Sequence, residues 1–274
     1  MTVKIPSTIE YFGVEKIFTR QLNTSTVLGD LVATFNIDLT TNFGKIRVSP
    51  RGMLNTNTTS IATAFKPYNN NTASVWYAIT RTGTTGACLS KSSSLNPSSS
   101  FTADTSTGAP SNIDVTKSDM ELFNGKLYVT SGNSTSIYIL NGGTWSTITP
   151  TIDTGSPHML NAFNNRLYIS NALTNVISCD VSNTFAYTSG GGQNQISIAG
   201  YAAGLSITFI KSAQNRIFIG TVNTNGGRGY VFVWDGIDPV NFDKVIELKS
   251  PGAMACVVMD DVPYIMDAHG VLRQ

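Results

Sequence analysis

Short apolar runs separated by turn residues dominate this 274-residue chain. Runs of Val, Ile, Leu, Tyr and Phe end at glycines or at Ser, Thr and Asn clusters about every 8–12 residues. Apolar and polar positions alternate at 136–140, 165–170 and 229–234, which is the period of a half-buried strand. No long window keeps the i, i+3, i+4, i+7 spacing of an amphipathic helix. The pattern predicts an all-β protein.

A turn followed by an aliphatic–aromatic–aliphatic strand recurs along most of the chain. The aromatic anchors of this repeat are 40 to 51 residues apart and are Tyr77, Tyr128, Tyr168, Phe218 and Tyr264. A second landmark, a turn that ends in an aromatic residue, follows the first four anchors in phase, at Phe101, Trp145, Phe185 and Phe242. Two landmarks that keep phase indicate a repeated structural unit.

Each unit is predicted to form four short strands, which in the second unit are 119–123, 126–130, 136–140 and 145–149. A four-stranded antiparallel sheet repeated at this spacing is typical of a β-propeller blade. One such sheet cannot bury both faces alone, so the aromatic anchors are expected to pack between blades rather than to contact a ligand. The predicted blades are 60–105, 115–150, 157–190 and 205–248, with a partial fifth blade from about 253.

The first 58 residues depart from the blade pattern, so the chain is divided into an N-terminal segment, 1–58, and a propeller domain, 59–274. The partial blade offers only two or three strands, at 254–259, 262–266 and 270–272. Either an N-terminal strand, 31–37 or 45–48, completes that blade, or further blades belong to a longer chain. We expect a strand from residues 28–50 to pair with 253–274.

The chain is poor in charge, since 18 Lys+Arg and 17 Asp+Glu make up 13% of its residues and leave a net charge of +1. Soluble domains usually contain about 25% charged residues. A near-neutral chain without a basic cluster is not expected to have nucleic acid as its main partner. Charged residues interrupt positions 1–18, and the apolar stretch 196–210 is short and broken by glycines, so neither a secretory signal nor a membrane segment is predicted.

Candidate nucleophiles and metal ligands are few. Cys88, Cys179 and Cys256 lie among apolar residues typical of strands, where a free thiol behaves as a small hydrophobic group. Three cysteines do not provide a disulfide framework. His158 and His269 are predicted to lie in loops, and no His-x-x-x-His or Cys-x-x-Cys spacing indicates a metal site. We expect no catalytic residue, no metal and no cofactor.

A glycoside hydrolase is the main enzymatic alternative, because five-bladed propellers host sugar hydrolases with carboxylates at the axis. That chemistry needs paired carboxylates. The acidic residues near predicted inner strands are Asp119, Glu121, Asp260, Asp261 and Asp267. They do not recur at a common blade position, and Asp260–Asp261 is predicted to be a hairpin turn.

Three polar segments are interpreted as connections. The glycine clusters 190–192 and 226–229 are predicted to be turns, because no helix follows them to support a phosphate loop. Arg228, in the second cluster, is expected to be an exposed contact point. The segment 90–107, rich in Ser, Thr, Asn and Pro, is predicted to be a mobile loop. We expect the loops 90–107 and 221–229 to dock neighbouring subunits.

Three segments resemble the β-propeller virion proteins of tailed bacteriophages, namely 140–145 (Leu-Asn-Gly-Gly-Thr-Trp), 214–220, and 232–236 with the following Phe242. The resemblance covers about residues 60–274. It implies a non-enzymatic structural component of the virion, made in the host cytoplasm and placed in the tail or neck. Such a protein is a rigid scaffold for contacts with other virion proteins and with copies of itself.

A receptor- or glycan-binding propeller is the alternative, and a propeller glycoside hydrolase is the second alternative. The glycan-binding hypothesis predicts that Trp145, Phe185 and Phe242 are exposed in equivalent pockets, where they would stack on sugars. The structural hypothesis predicts that the same three rings are buried. The hydrolase hypothesis predicts three carboxylates within hydrogen-bonding reach of one another at the axis.

Overall fold

The computed structural model describes residues 37–38, 47–48, 60–69, 74–82, 87–94, 101–179 and 194–273. All regular secondary structure in these ranges is β-strand, and the sheets form a five-bladed β-propeller. Across the same ranges, no helix has the length and apolar character needed to cross a membrane.

The strands follow one another blade by blade. Blade 1 contains β3 (Ser60–Asn69), β4 (Ser74–Thr82), β5 (Ala87–Ser92) and β6 (Phe101–Ala103). Blade 2 contains β7 (Met120–Phe123), β8 (Lys126–Thr130), β9 (Ile137–Asn141) and β10 (Thr144–Ile148). Blade 3 contains β11 (Leu160–Phe163), β12 (Arg166–Asn171), β13 (Asn175–Cys179) and β14 (Ile196–Ser197). Blade 4 contains β15 (Leu205–Ala213), β16 (Arg216–Asn223), β17 (Tyr230–Trp234) and β18 (Lys244–Glu247).

Blade 5 contains three described strands, β19 (Ala253–Met259), β20 (Val262–Asp267) and β21 (Leu272–Arg273). Before blade 1, β1 (Ile37–Asp38) and β2 (Arg47–Val48) pair with each other in a separate two-stranded sheet. The predicted all-β class, the propeller and the four-stranded blades are therefore confirmed. Blade 3 extends beyond its predicted end at 190, because its fourth strand comes after a longer connection.

Two-residue turns join the first and second strands of blades 2 to 5. Asn124–Gly125 has φ values of 48° and 70°, and Asp260–Asp261 has 49° and 62°. Both residues of a type I′ turn require positive φ, which Asn, Asp and Gly tolerate best. The predicted hairpin at Asp260–Asp261 is therefore confirmed. Because the turn length is constant, these hairpins have the same register next to the turn, and those of blades 4 and 5 shift register farther along the strands.

The first strands lie at the centre of the propeller, where β3 contacts β7, β7 contacts β11, β11 contacts β15 and β15 contacts β19. Hydrophobic clusters fill the four boundaries between successive blades from 1 to 5. The aromatic anchors on the second strands are all buried, with exposed fractions from 1% for Tyr128 and Tyr168 to 7% for Phe218. Four of them belong to the cluster shared with the following blade. The prediction that they pack between blades is confirmed.

The predicted mobile loop at 90–107 is wrong for two parts of that segment, because residues 90–92 belong to β5 and 101–103 form β6. The Ser hydroxyls there are buried and hydrogen-bonded. Ser92 Oγ accepts a bond from the Trp76 backbone N–H at 2.8 Å, and Ser90 Oγ lies 2.7 Å from Thr80 Oγ1. Hydroxyl-rich composition therefore concealed strands whose polar groups are satisfied within the sheet. Residues 95–100 lie outside the described ranges.

The closure of the ring stays a prediction, because most of the first 58 residues lies outside the described ranges. We predict that a strand from residues 28–50 pairs with 253–274 beside β21, on whose other side no described strand lies. Deletion of residues 1–50 should then speed hydrogen exchange at the backbone amides of Leu272 and Arg273 by at least about tenfold, because paired amides exchange only on opening. Exchange mass spectrometry measures the change. Equal exchange at these amides, with both proteins folded, would contradict ring closure by this segment.

Candidate functional site

Five side chains occupy one equivalent position around the propeller axis. Each lies on a first strand, directly opposite the aromatic anchor of its own blade, and the five are Lys66, Glu121, Asn161, Lys211 and Val257. Directly opposed residues of an antiparallel pair point to the same face of the sheet. We call these five residues the axial ring. Four of the five are polar, although the interior of this charge-poor protein is otherwise mostly apolar.

Lys66 and Glu121 join blades 1 and 2 across the axial ring. Lys66 Nζ donates to Glu121 Oε1 and Oε2, both at 2.8 Å. The side chains are only 26% and 13% exposed, so this ion pair is poorly screened by solvent. Glu121 Oε1 also accepts a bond from the Leu122 backbone N–H at 3.0 Å. Three hydrogen bonds therefore hold the carboxylate in place.

Lys211 is a second cation of the axial ring. Burial disfavours its charged form, but the negative charges of Asp119 and Glu121 outweigh that effect, and the pKa of Lys211 lies above its ordinary value. An ammonium group that stays protonated cannot act as a nucleophilic amine. Lys211 is therefore compensated by Asp119 and Glu121, and Glu121 also pairs with Lys66.

Asn161 and Cys256 complete the polar contacts at the axis. The amide of Asn161 is 4% exposed and lies 3.5 Å from Ser212 Oγ, which links blades 3 and 4. Burial raises the pKa of Cys256 to about 12, so the thiol stays protonated and is a poor nucleophile at neutral pH. Cys179 is also buried, as expected for a small hydrophobic group, and the side chain of Cys88 lies outside the described part of the chain.

The acidic residues named from the sequence are dispersed. Asp119 Oδ1 and Oδ2 accept bonds from the backbone N–H groups of Met120 and Leu160, so this side chain joins blade 2 to blade 3. Asp261 Oδ1 accepts from the Gln214 backbone N–H at 2.7 Å across blades 4 and 5. Asp267 is buried and bonded to Arg273 at 2.7 Å. Among these residues, the described hydrogen bonds join no carboxylate to another carboxylate.

His158 lies in the connection into blade 3 and is fully buried, whereas the prediction gave only a loop position. Both ring nitrogens lack a hydrogen-bond partner among the described residues, and Asp153 Oδ1 is 3.6 Å from Nε2. Burial lowers the pKa of His158, and the nearby positive charge of Lys117 acts in the same direction while Asp153 opposes it. The backbone of His158 joins blades 2 and 3, because its N–H donates to Lys117 O and its carbonyl accepts from Thr130 Oγ1.

The aromatic landmarks are packed rather than presented in equivalent pockets. Trp145 is 7% exposed, meets Tyr77 edge-on at 6.1 Å, and donates from Nε1 to Asp104 Oδ2 at 3.0 Å. Phe242 is half-buried against Phe232, with ring centroids 4.7 Å apart. Phe185 lies outside the described residues. For Trp145 and Phe242, the packing favours the structural hypothesis over stacking on sugars.

One of the two turns predicted at glycine clusters is confirmed and the other stays a prediction. Residues 226–229 lie in the hairpin connection from β16 to β17, and 190–192 lie outside the described ranges. Arg228 is exposed and forms an ion pair with Glu247 at 3.2 Å. His269 is exposed in the turn between β20 and β21. Within the described ranges, no group of three or more His, Cys, Asp or Glu side chains is placed to hold a metal ion.

Comparisons with known proteins show the fold alone. No family model and no curated protein matches the sequence. Similar solved structures include BBS1N in complex with ARL6DN, at 12% identity over 83% of this chain and 69% of that chain, with a TM-score of 0.50. The nidogen/laminin complex matches at 10% identity over 84% and 80%, with a TM-score of 0.49. Virginiamycin B lyase from Staphylococcus aureus matches at 10% identity over 77% and 65%, with a TM-score of 0.49.

These structures have different functions, and some are longer than this chain. In a second crystal of BBS1N the match spans 60% of that chain, with a TM-score of 0.48.

The polar axial ring was not recognised from the sequence, because its members differ in type from blade to blade. Their spacing was available, since Glu121, Asn161, Lys211 and Val257 each precede an anchor by seven residues.

The Lys66–Glu121 pair should matter for stability. Glu121→Gln keeps the size of the side chain and an acceptor for the Leu122 N–H, but leaves Lys66 without its ion-pair partner and removes one of the two carboxylates near Lys211. We expect the free energy of unfolding to fall by about 1–3 kcal/mol, as for other poorly solvated ion pairs that lose one partner. Denaturant unfolding followed by circular dichroism measures this. Arg228→Gln, at the exposed pair with Glu247, is the control and should cost less than about 0.5 kcal/mol; equal losses would contradict the assignment.

His158 should make the protein less stable in mild acid. Its pKa is lower in the folded than in the unfolded state, so below the unfolded value of about 6.5 the unfolded chain binds more protons. Stability should therefore fall as the pH drops from about 7 towards 5, and His158→Leu should flatten that part of the profile. Unfolding at several pH values tests this. His269→Leu, at the exposed histidine, should keep the wild-type slope; if it flattens the profile equally, His158 is not the cause.

Proposed function

We propose that this protein is a non-enzymatic structural component of a bacteriophage virion, in the tail or neck, where it is a rigid scaffold for subunit contacts. The observation that carries the proposal is that several of its acidic side chains bond between blades. Glu121, Asp119, Asp104 and Asp261 each bond to a group on a neighbouring blade, so they hold the ring together instead of facing a substrate.

Three further observations support this role. The segments around Trp145, Phe218 and Trp234 resemble propeller proteins of phage virions. A surface that carries little charge suits assembly with many copies of other subunits, because association meets little electrostatic repulsion. BBS1N, which shares the fold, was crystallised in complex with another protein, ARL6DN, and protein partners are therefore the class of ligand that we propose here.

The location is tested on particles. An antiserum raised against the recombinant protein should label the tail or neck of phage particles that carry this gene, as seen by negative-stain electron microscopy, and mass spectrometry should find the chain in gradient-purified particles. Preimmune serum is the control for labelling. If the protein stays in the soluble fraction of lysates and is absent from purified particles, the virion role is wrong.

The absence of catalysis is tested separately. The competing hydrolase hypothesis predicts glycan cleavage that is lost in Asp119→Asn or Asp260→Asn. Both oxygens of Asp119 accept hydrogen bonds from backbone N–H groups, so we do not expect this side chain to take part in catalysis. The wild type and both variants should therefore give the same glycosidase signal as a buffer blank. Cleavage by the wild type that disappears in either folded variant would overturn the non-enzymatic proposal.

A further inference from the structure

The outermost described strand of blade 4 has a free edge. β18 pairs with β17 through residues 244–247, and no described strand lies on its other side. Lys244, Val245 and Glu247 are exposed, and Ile246 is half-buried. An open edge presents unpaired backbone N–H and C=O groups that another strand can bond.

The sequence of β18 is complementary to itself. Read from 244 to 247 it is Lys-Val-Ile-Glu, with opposite charges at its two ends and two β-branched residues between them. If two copies pair antiparallel about a two-fold axis midway between Val245 and Ile246, Lys244 lies opposite Glu247 of the second copy. Val245 then lies opposite Ile246 of the second copy. Opposite charges and β-branched residues are the cross-strand pairs that stabilise antiparallel sheets.

The ion pairs that flank β18 support the same symmetry. Arg216 pairs with Asp243 at 2.5 Å just before the strand, and Arg228 pairs with Glu247 at 3.2 Å at its end. Both pairs are exposed, and each contains one positive and one negative group. The two-fold axis places the Arg216–Asp243 pair of one copy beside the Arg228–Glu247 pair of the other copy. Each of these charged groups then has both an opposite charge and a like charge of the second copy nearby.

An apolar surface lies behind the edge. Val245 pairs directly opposite Phe232, so the two side chains lie on the same face of the sheet. Phe242 and Tyr201 pack on Phe232 at 4.7 and 4.9 Å between ring centroids, and Tyr201 is 45% exposed. Aromatic and aliphatic side chains of this kind are enriched in protein interfaces. A strand added beside β18 would cover part of this surface.

We propose that two copies of this chain associate through their β18 edges, which joins two four-stranded blades into one eight-stranded antiparallel sheet. The proposal names the partner at one contact surface of the scaffold proposed above and rests on that function only for its biological use. Lys244 normally serves as a charge that protects an edge from other strands. Because Lys244 lies opposite Glu247 of the second copy, it instead favours pairing with a second copy of this chain in this register.

Charge reversal tests the register. Sedimentation velocity over a concentration series should show a monomer–dimer equilibrium for the wild type. Lys244→Glu and Glu247→Lys should each weaken dimerisation by at least about tenfold, because each converts two symmetry-related attractive pairs into repulsive ones. The double variant Lys244→Glu/Glu247→Lys restores opposite charges across the axis, and its dissociation constant should return to within about threefold of the wild-type value.

Lys249→Glu is the matched control for Lys244→Glu, since it makes the same change in net charge at an exposed residue outside β18. This control should dimerise like the wild type. Circular dichroism confirms that each variant is folded. A wild type that stays monomeric throughout the series overturns the proposal, as does a folded double variant that stays as weak as the single ones. Particle labelling does not depend on dimerisation in solution, so failure of this proposal and failure of the virion role are distinguishable.

Discussion

The packing of one aromatic anchor against the next blade is the contact on which the rest of the propeller depends. Tyr168 makes this contact in two ways. Its ring packs edge-on against Trp234 at 5.7 Å between ring centroids, and its hydroxyl donates to Gly236 O at 2.9 Å. Burial raises the pKa of Tyr168 to about 12, so the hydroxyl remains a donor at physiological pH. Gly236 has a φ of 83°, and a Cβ there would lie 2.9 Å from the Tyr168 hydroxyl, which explains the glycine of the Trp-Asp-Gly segment.

The anchors also fix what stands at the axis. A two-residue turn places the residue seven positions before an anchor directly opposite it, as in Glu121 and Tyr128 or Lys211 and Phe218. In blade 1 the connection between β3 and β4 is two residues longer, and the axial pair lies one position farther from the turn on each strand, so Lys66 precedes Tyr77 by eleven. This longer connection is why the first copy of the repeat looks divergent in sequence although its pairing is equivalent.

The repeat, the blades and the burial of the anchors could be predicted because all three depend on local rules, namely alternation, turn chemistry and spacing. The axial ring could not, because an axial position accepts Lys, Glu, Asn or Val as long as the residues meeting at the centre are compatible. That condition joins Lys66 and Glu121, which are 55 residues apart. The burial of His158 was missed for the same reason, since a loop residue is covered by segments that are distant in sequence.

The distribution of charge separates the interior of the ring from its edges. Buried carboxylates occur where several donors converge: Asp104 has a fully buried side chain that accepts bonds from Lys91, Ser106 and Trp145. Among the described residues near the axis, the cations Lys66 and Lys211 are compensated by the carboxylates Asp119 and Glu121. The contacts of the scaffold role proposed above would therefore fall to the outer strands and their connections. There the Arg228–Glu247 ion pair is exposed and no described strand lies beside β18, so a partner could bind without disturbing the contacts between blades.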